Sequence, residues 1–160
     1  AAKTGVASGA KITAPTPTKD GFDLEGWYKD ADFEDAWDFA TDTVTANTIL
    51  YAQWDDIRTE LTVGEGNDAV AAEATDTTAD VEFAFDGTEI TGLTVADFVV
   101  SEGAEIENDE AIVVESGKVT VTISFNANEG SDAIEYTVSI NPDSTLIKGE
   151  AEVTVTQAAE

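Results

Sequence analysis

The feature that most constrains the fold is a period-two alternation of apolar and hydroxyl-bearing residues in the C-terminal part of the sequence. In KVTVTISF, residues 118–125, the valines, Ile123 and Phe125 occupy one set of alternate positions and Thr or Ser the other. Successive side chains of a β-strand point to opposite faces, so this pattern buries one face of a strand. Similar segments rich in β-branched or aromatic residues lie at 59–63, 79–85, 95–100, 112–114, 134–140 and 151–156. Seven strands separated by Gly, Asp, Asn and Pro turns predict a mainly β fold, with a two-sheet antiparallel sandwich.

The charge of the chain excludes several kinds of partner. There are 34 acidic and seven basic residues, which give a formal net charge of −27 at pH 7. Nucleic acid and anionic lipid surfaces repel such a chain within a Debye length of about 8 Å. We therefore expect no nucleic-acid partner and no direct membrane insertion.

The residue types that most enzymes use are also missing. The sequence has no His and no Cys, so the commonest zinc ligands and the commonest general base are absent. Pairs of carboxylates remain, but glycosidase chemistry also needs a substrate cleft and one carboxyl group with a raised pKa. We predict that the protein is not an enzyme and has no cofactor.

The composition changes near Asp55 and Asp56. All three Trp lie in residues 1–56, together with four Lys and eleven acidic residues. Residues 57–160 have no Trp and carry three basic against 23 acidic residues. This change predicts two domains, 1–56 and 57–160. The start at Ala1, without an initiator Met, indicates a segment of a longer protein.

The first domain contains three candidate strands, at 10–13, 22–28 and 48–54. Between the first two, prolines and the dipeptide Asp20-Gly21 favour a turn. Residues 30–39 place aromatic and Ala residues at helical spacing, which predicts one or two helical turns.

Motifs in this domain occur in a characteristic order: PTPTKDGFDLEGWYKD, then AWDF, then TVTANTILYAQW. The order resembles the Listeria-Bacteroides repeat, also called the internalin B-repeat type, of bacterial surface proteins. The matching residues are Pro17, Lys19, Gly21, Phe22, Leu24, Gly26, Trp27, Tyr28, Trp37, Phe39, Val44, Thr48, Leu50, Tyr51, Ala52 and Trp54. The resemblance implies a compact β-grasp-like module, usually found in tandem on extracellular proteins.

One part of that family pattern is not apparent here. The family normally opens with a strand that ends in an Asn-Gly-Gly-like turn, and residues 1–9 contain no clear equivalent. Without that strand the sheet has an exposed edge, which another segment or a partner must cover.

The second domain ends with KVTVTISFNANEGSDAIEYTVSI and GEAEVTVTQAAE. This ending resembles that of the Bacteroidetes-associated carbohydrate-often N-terminal domains, although their usual central Trp is absent. The resemblance implies an immunoglobulin-like β-sandwich and is carried by Phe125, Asn126, Asn128, Tyr136, Val153, Val155 and Gln157.

Trp27, Tyr28 and Trp37 are the candidate ligand-binding residues. Aromatic faces stack on the CH face of a sugar ring, and nearby Asp or Asn side chains can hold its hydroxyls. The alternative is that these residues, with Trp54, form the core of the small domain, since each aromatic buries about 150–250 Å². The core interpretation is favoured.

Asp30, Asp32 and Glu34 are the candidate metal ligands. Their alternating oxygens resemble the beginning of a calcium loop. The sixth and twelfth positions, however, are Asp35 and Thr41 rather than Gly and Glu. A solvated acidic turn is therefore favoured, with weak calcium binding as the alternative.

Together these observations predict an adhesive or spacer module of a secreted or cell-surface bacterial protein. The expected partners are a host or matrix protein or glycan, and neighbouring domains of the same chain. The alternative is a carbohydrate-binding module with a defined glycan ligand.

Overall fold

The computed structural model describes residues 3–64, 67–87 and 89–160 and is mainly β, as the alternation predicts. The chain divides into two compact units, Ala1–Ile57 and Arg58–Glu160.

The first unit is built on a two-stranded antiparallel sheet of β1 (Phe22–Tyr28) and β2 (Tyr51–Asp56). Tyr28 pairs with Tyr51, and the register shifts by a bulge between Leu24 and Gly26. Gly21, the residue before β1, has φ 75°, a left-handed conformation that glycine adopts without steric cost. A pair of strands alone is marginally stable, so the flanking loops must supply most of the packing.

Two strand predictions in this unit are only partly correct. The strand expected at 10–13 is reduced to an isolated bridge between Ala10 and Val44, and the strand expected at 48–54 begins only at Tyr51. Residues 3–9 contain no strand, whereas Ala1 and Ala2 of the same segment lie outside the described residues.

The helical turns predicted for residues 30–39 are wrong, because this segment forms turns and a bridge. The Asp30 carboxylate accepts hydrogen bonds from the backbone N–H groups of Asp32, Glu34 and Asp35 at 2.8–3.0 Å. Such local bonds offer the backbone an alternative to a helix. Phe33 adopts φ 59°, which also breaks helical geometry.

The described residues of the second unit form two sheets. Their strands are β3 (Thr59–Thr62), β4 (Ala69–Ala72), β5 (Thr78–Phe85), β6 (Phe98–Val100), β7 (Ala104–Glu105), β8 (Ile112–Glu115), β9 (Lys118–Phe125), β10 (Ile134–Ile140), β11 (Ile147–Lys148) and β12 (Glu152–Gln157). One sheet has the order β4-β12-β10-β6, and the other has the order β11-β3-β5-β9-β7, with β8 also paired to β9. Most pairings are antiparallel, but β4 joins β12 and β11 joins β3 in parallel.

Alternation of side chains creates the core of this unit. Val119, Val121 and Ile123 of β9 are fully buried, while the intervening Thr120 and Thr122 are only half-buried. Residues of β5, β10 and β12 complete the core with the same period. Residues 95–97, expected within a strand, instead form a short 3-10 helix before β6.

Two buried side-chain amides form hydrogen bonds to backbone carbonyls of the loops around this core. Gln157 is fully buried, and its Nε2 donates to the carbonyl oxygens of Ala74, Asp76 and Asn126 at 2.9–3.2 Å. Asn128 Nδ2 donates to the carbonyls of Asp132 and Ala158 at 2.8 and 2.9 Å.

Candidate functional site

A cavity of about 1010 Å³ lies in the first unit. It is lined by residues between 3 and 17, by Trp27 of β1, and by residues 44–50. The Trp27 indole N–H donates to the Pro15 carbonyl at 3.3 Å, which fixes the ring against the first of these segments. The wall is chiefly apolar, with side chains such as Ile12, Val44 and Leu50, and its polar groups are mostly Thr, Ser and Asn.

The other two candidate ligand-binding residues do not line this cavity. Tyr28 packs edge-to-face against Phe33 with ring centroids 5.4 Å apart. Trp37 is 8% exposed and contacts Phe39 edge-to-face at 6.3 Å. The three aromatic residues thus have different neighbours, and their role in ligand binding stays a prediction.

Trp37 carries a buried donor without an acceptor. Among the described residues, no oxygen accepts a hydrogen bond from its Nε1. An unsatisfied buried donor costs about 1–3 kcal/mol. The hydrophobic burial of the large ring offsets this cost, which fits a residue retained for packing.

A cation joins the loops beside Trp37. The Nζ of Lys29 lies 3.1 Å from an oxygen of Asp35, 3.3 Å from one of Asp42 and 5.9 Å from the centre of the Trp37 ring. Hydrogen bonds to Asp35 and Asp42 raise the pKa of Lys29 above its ordinary value. This group therefore stays charged at neutral pH and joins Asp35, in the middle of the 30–42 loop, to Asp42 at its end.

The candidate metal ligands are placed in a turn rather than around a shared centre. Both carboxylate oxygens of Asp30 accept backbone N–H groups, and these bonds, first from Glu34 and then from Asp35, lower the pKa of Asp30. Within residues 3–64, 67–87 and 89–160, no group of three or more His, Cys, Asp or Glu is placed to hold a metal ion. The calcium hypothesis for Asp30, Asp32 and Glu34 stays a prediction.

The cavity differs from the rest of the first unit in charge. The acidic residues of this unit all fall at positions 20–42 or at 55 and 56. Consequently none of the described residues that line the cavity is acidic, and Lys3 is the one charged side chain among them. The Nζ of Lys3 donates to the Thr13 carbonyl at 2.8 Å.

The backbone around the cavity is largely unpaired. In the described part of the chain, neither residues 11–18 nor residues 45–50 form a backbone–backbone hydrogen bond. These two stretches include positions that the sequence predicts as strand. Sequence reasoning identified Trp27 but missed the cavity, because its walls come from segments distant in sequence.

The first unit is a small module. It has a strand that ends in Gly-Trp-Tyr and a closing strand with the pattern Tyr-Ala-x-Trp. Residues 1–53 match the family model of the Listeria-Bacteroides repeat domain. The family resemblance predicted for the first unit is thereby confirmed.

Two similar proteins come from Evansella cellulosilytica. One, whose name describes a Gly-rich membrane protein, is 48% identical over 48 residues, which are 29% of this chain and 6% of that protein. The other, whose name describes a membrane protein, is 43% identical over 79 residues, which are 49% of this chain and 11% of that protein. The matched residues are thus a small part of much longer relatives. No helix in the described ranges of this chain has the length and apolar character to span a bilayer.

One solved structure is also similar, a Bacteroides ovatus GH5 xyloglucanase in complex with a XXXG heptasaccharide. It is 16% identical and aligns with 62% of this chain and 19% of its own, at a TM-score of 0.39. A similarity at this level carries no inference about activity. The immunoglobulin-like resemblance of the second unit stays a prediction.

Proposed function

We propose that this chain is a non-catalytic adhesive or spacer part of a bacterial surface or secreted protein. The observation that carries the proposal is the repeat-domain match at residues 1–53. The length of the relatives supports a module within a large protein, and their membrane-protein names support a location at the cell surface. Its partners would be a host or matrix protein or glycan, and neighbouring domains of the same chain.

The geometry favours this function over a carbohydrate-binding module. A sugar platform needs accessible aromatic faces, but Trp37 is buried and Tyr28 is half-buried, with Phe33 packed edge-to-face against it. Trp27 alone of the three candidates reaches the cavity. The role of the aromatic cluster is therefore mainly to hold the small unit together.

The charge is consistent with an extracellular spacer. A formal charge of −27 makes neighbouring molecules repel each other and keeps an extended array soluble. Salt screens this repulsion within about 8–10 Å at physiological ionic strength.

Three measurements test the proposal. Antibodies against the chain should label intact cells of the organism that encodes it, and labelling that requires lysis would refute the surface location. Beads coated with the chain should adhere to matrix protein or glycan under flow more than beads coated with polyglutamate of equal charge. If adhesion is absent, a spacer should still unfold under force in two steps. The chain should lengthen by about 200 Å in one step and about 360 Å in the other, which are the extended lengths of the two compact units.

A further inference from the structure

The second unit pairs its first two strands with its last two strands in parallel. Among the described strands, β3 runs parallel to β11 over two residue pairs, and β4 runs parallel to β12 over four. We propose that the β4–β12 pair is a mechanical clamp, a pair of strands that resists force applied along the chain through the two ends of the unit. The inference rests on the proposed spacer function and specifies how the spacer would withstand a pull.

The direction of the two strands determines how the clamp carries a load. The chain enters β4 beside the Ala69–Thr154 pair and leaves β12 beside the Ala72–Gln157 pair, which lies at the opposite end. A pull on the two ends of the unit therefore slides the strands along each other, and all the hydrogen bonds between them carry the load together. Strands pulled from the same end would instead separate one residue pair at a time. The parallel arrangement must lose several hydrogen bonds in one step, so we expect it to resist a pull more strongly.

Hydrogen bonds are formed at both ends of the clamp. The Asp68 carbonyl accepts the backbone N–H of Thr154 at 2.9 Å. The Ala72 carbonyl accepts the backbone N–H of Ala158 at 2.8 Å. The pairing thus extends along the whole of β4. The β3–β11 pairing, which the force reaches first, has only two residue pairs, so β4 and β12 are the longer of the two parallel contacts.

Buried side chains support the clamp. Val153, Val155 and Gln157 of β12 are fully buried. The Gln157 Nε2 also donates to the carbonyls of Ala74 and Asp76, in the segment that follows β4, at 3.2 and 2.9 Å. Hydrogen bonds in such surroundings are costly to break, because water does not readily replace the lost partner.

Pulling the folded chain in two directions tests the proposal. The sequence has no Cys, so handles can be attached at introduced Cys residues. Asn67→Cys with Glu152→Cys places both handles on exposed residues at the same end of the clamp, whereas handles at the chain termini load opposite ends. In optical tweezers, unfolding of the second unit should lengthen the chain by about 360 Å from the terminal handles and about 300 Å from the internal ones.

The unfolding rate at constant force is the measured quantity. At the same force, the second unit should unfold at least about tenfold more slowly from the terminal handles than from the internal ones. A tenfold difference in rate corresponds to about 1.4 kcal/mol in the barrier, which is the size of one hydrogen bond.

A matched pair of proline variants locates the clamp within β4, the outermost described strand of its sheet. The carbonyls of Asp68 and Ala72 both face β12. Alternation along the strand therefore places the Val70 N–H on that side and the Ala71 N–H at the outer edge. Val70→Pro should raise the unfolding rate from the terminal handles about tenfold, because it removes one hydrogen bond of the clamp. Ala71→Pro adds the same ring at the edge, where a strand tolerates it, and should change the rate less than about twofold.

Two results would overturn the inference. They are equal unfolding rates from the two pairs of handles, and equal effects of the two proline variants in chains that circular dichroism shows to be folded. If a proline variant does not fold, the comparison of the two pulling directions still decides, since it leaves both strands intact. Surface labelling of cells is independent of these rates, so failure of the clamp leaves the proposed function intact.

Discussion

Replacing Gln157 with Leu tests how much the hydrogen bonds between this side chain and the loops stabilise the second unit. The Gln157 side chain is fully buried at the end of β12. Its Nε2 lies 2.9 Å from the carbonyl oxygen of Asp76 and 3.2 Å from those of Ala74 and Asn126, and its Oε1 accepts the Tyr136 hydroxyl at 3.3 Å. Leu has a similar size but cannot hydrogen-bond, so the change isolates the polar contribution.

The expected loss follows from the groups left without partners. Nε2 carries two protons, so it fully satisfies two of the three carbonyls at one time. Leaving two carbonyls and one hydroxyl without partners costs about 1–3 kcal/mol for each group. Burying the Leu side chain offsets about 1–3 kcal/mol of this cost. With about 2 kcal/mol for each of these terms, we expect a net loss of about 4 kcal/mol in the free energy of unfolding. For a unit of this size the melting temperature should fall by roughly 15–30 °C.

Urea unfolding followed by two signals measures this loss. All three Trp lie in the first unit, so Trp fluorescence reports on that unit, while far-UV circular dichroism reports on both. The Gln157→Leu transition should move to lower urea in circular dichroism. As a control, Glu152→Leu alters an exposed residue of the same strand and should change stability by less than about 0.5 kcal/mol. A Gln157→Leu loss below about 1 kcal/mol would refute the argument that its three carbonyl contacts stabilise the unit.

Three further substitutions probe other local features. Gly149→Ala should cost about 1–3 kcal/mol in urea unfolding, because Gly149 has φ 134° and an added Cβ would lie 2.4 Å from the Leu61 carbonyl oxygen; an unchanged midpoint would contradict this steric reason. Ser144→Ala should cost about 1–3 kcal/mol, since its buried hydroxyl donates to Asp97 at 2.6 Å; a neutral effect in calorimetry would show that water replaces the hydroxyl. The pKa of Asp30 is lowered on folding, so its contribution is present above its ordinary pKa of 3.8 and lost as pH falls below that value. Trp fluorescence unfolding should therefore show a smaller loss of stability between pH 5 and pH 3 in Asp30→Ala than in the unmodified chain, and equal losses would exclude Asp30 as a source of acid sensitivity.

The strands with strong alternation could be predicted from the sequence almost to the residue. The predicted bounds of β9 and β10 agree with the structure, because each strand has one buried face and a period of two. β4, β7 and β11 were missed. The AVAA sequence of β4 has little strand propensity, and the other two have only two residues each. Pairing with neighbours distant in sequence creates these short strands.

The candidate site was predicted less well. The motifs around Trp27 identified the repeat family, because fixed spacing of Gly and aromatic residues persists in the sequence. Their spacing could not distinguish Trp37, which is buried, from Trp27, which lines a cavity. That distinction depends on which loop covers which ring.

The sequence by itself determined the mainly β class, the identity of the first module and the strong negative charge, since these follow from local periodicity, motif spacing and residue counts. The tertiary structure alone decided that the non-acidic segments 3–17 and 44–50 face one another across a cavity. It also decided that Gln157, polar and near the end of the chain, is fully buried. Both outcomes depend on contacts between residues far apart in sequence, where the gain from packing and hydrogen bonding outweighs local preference.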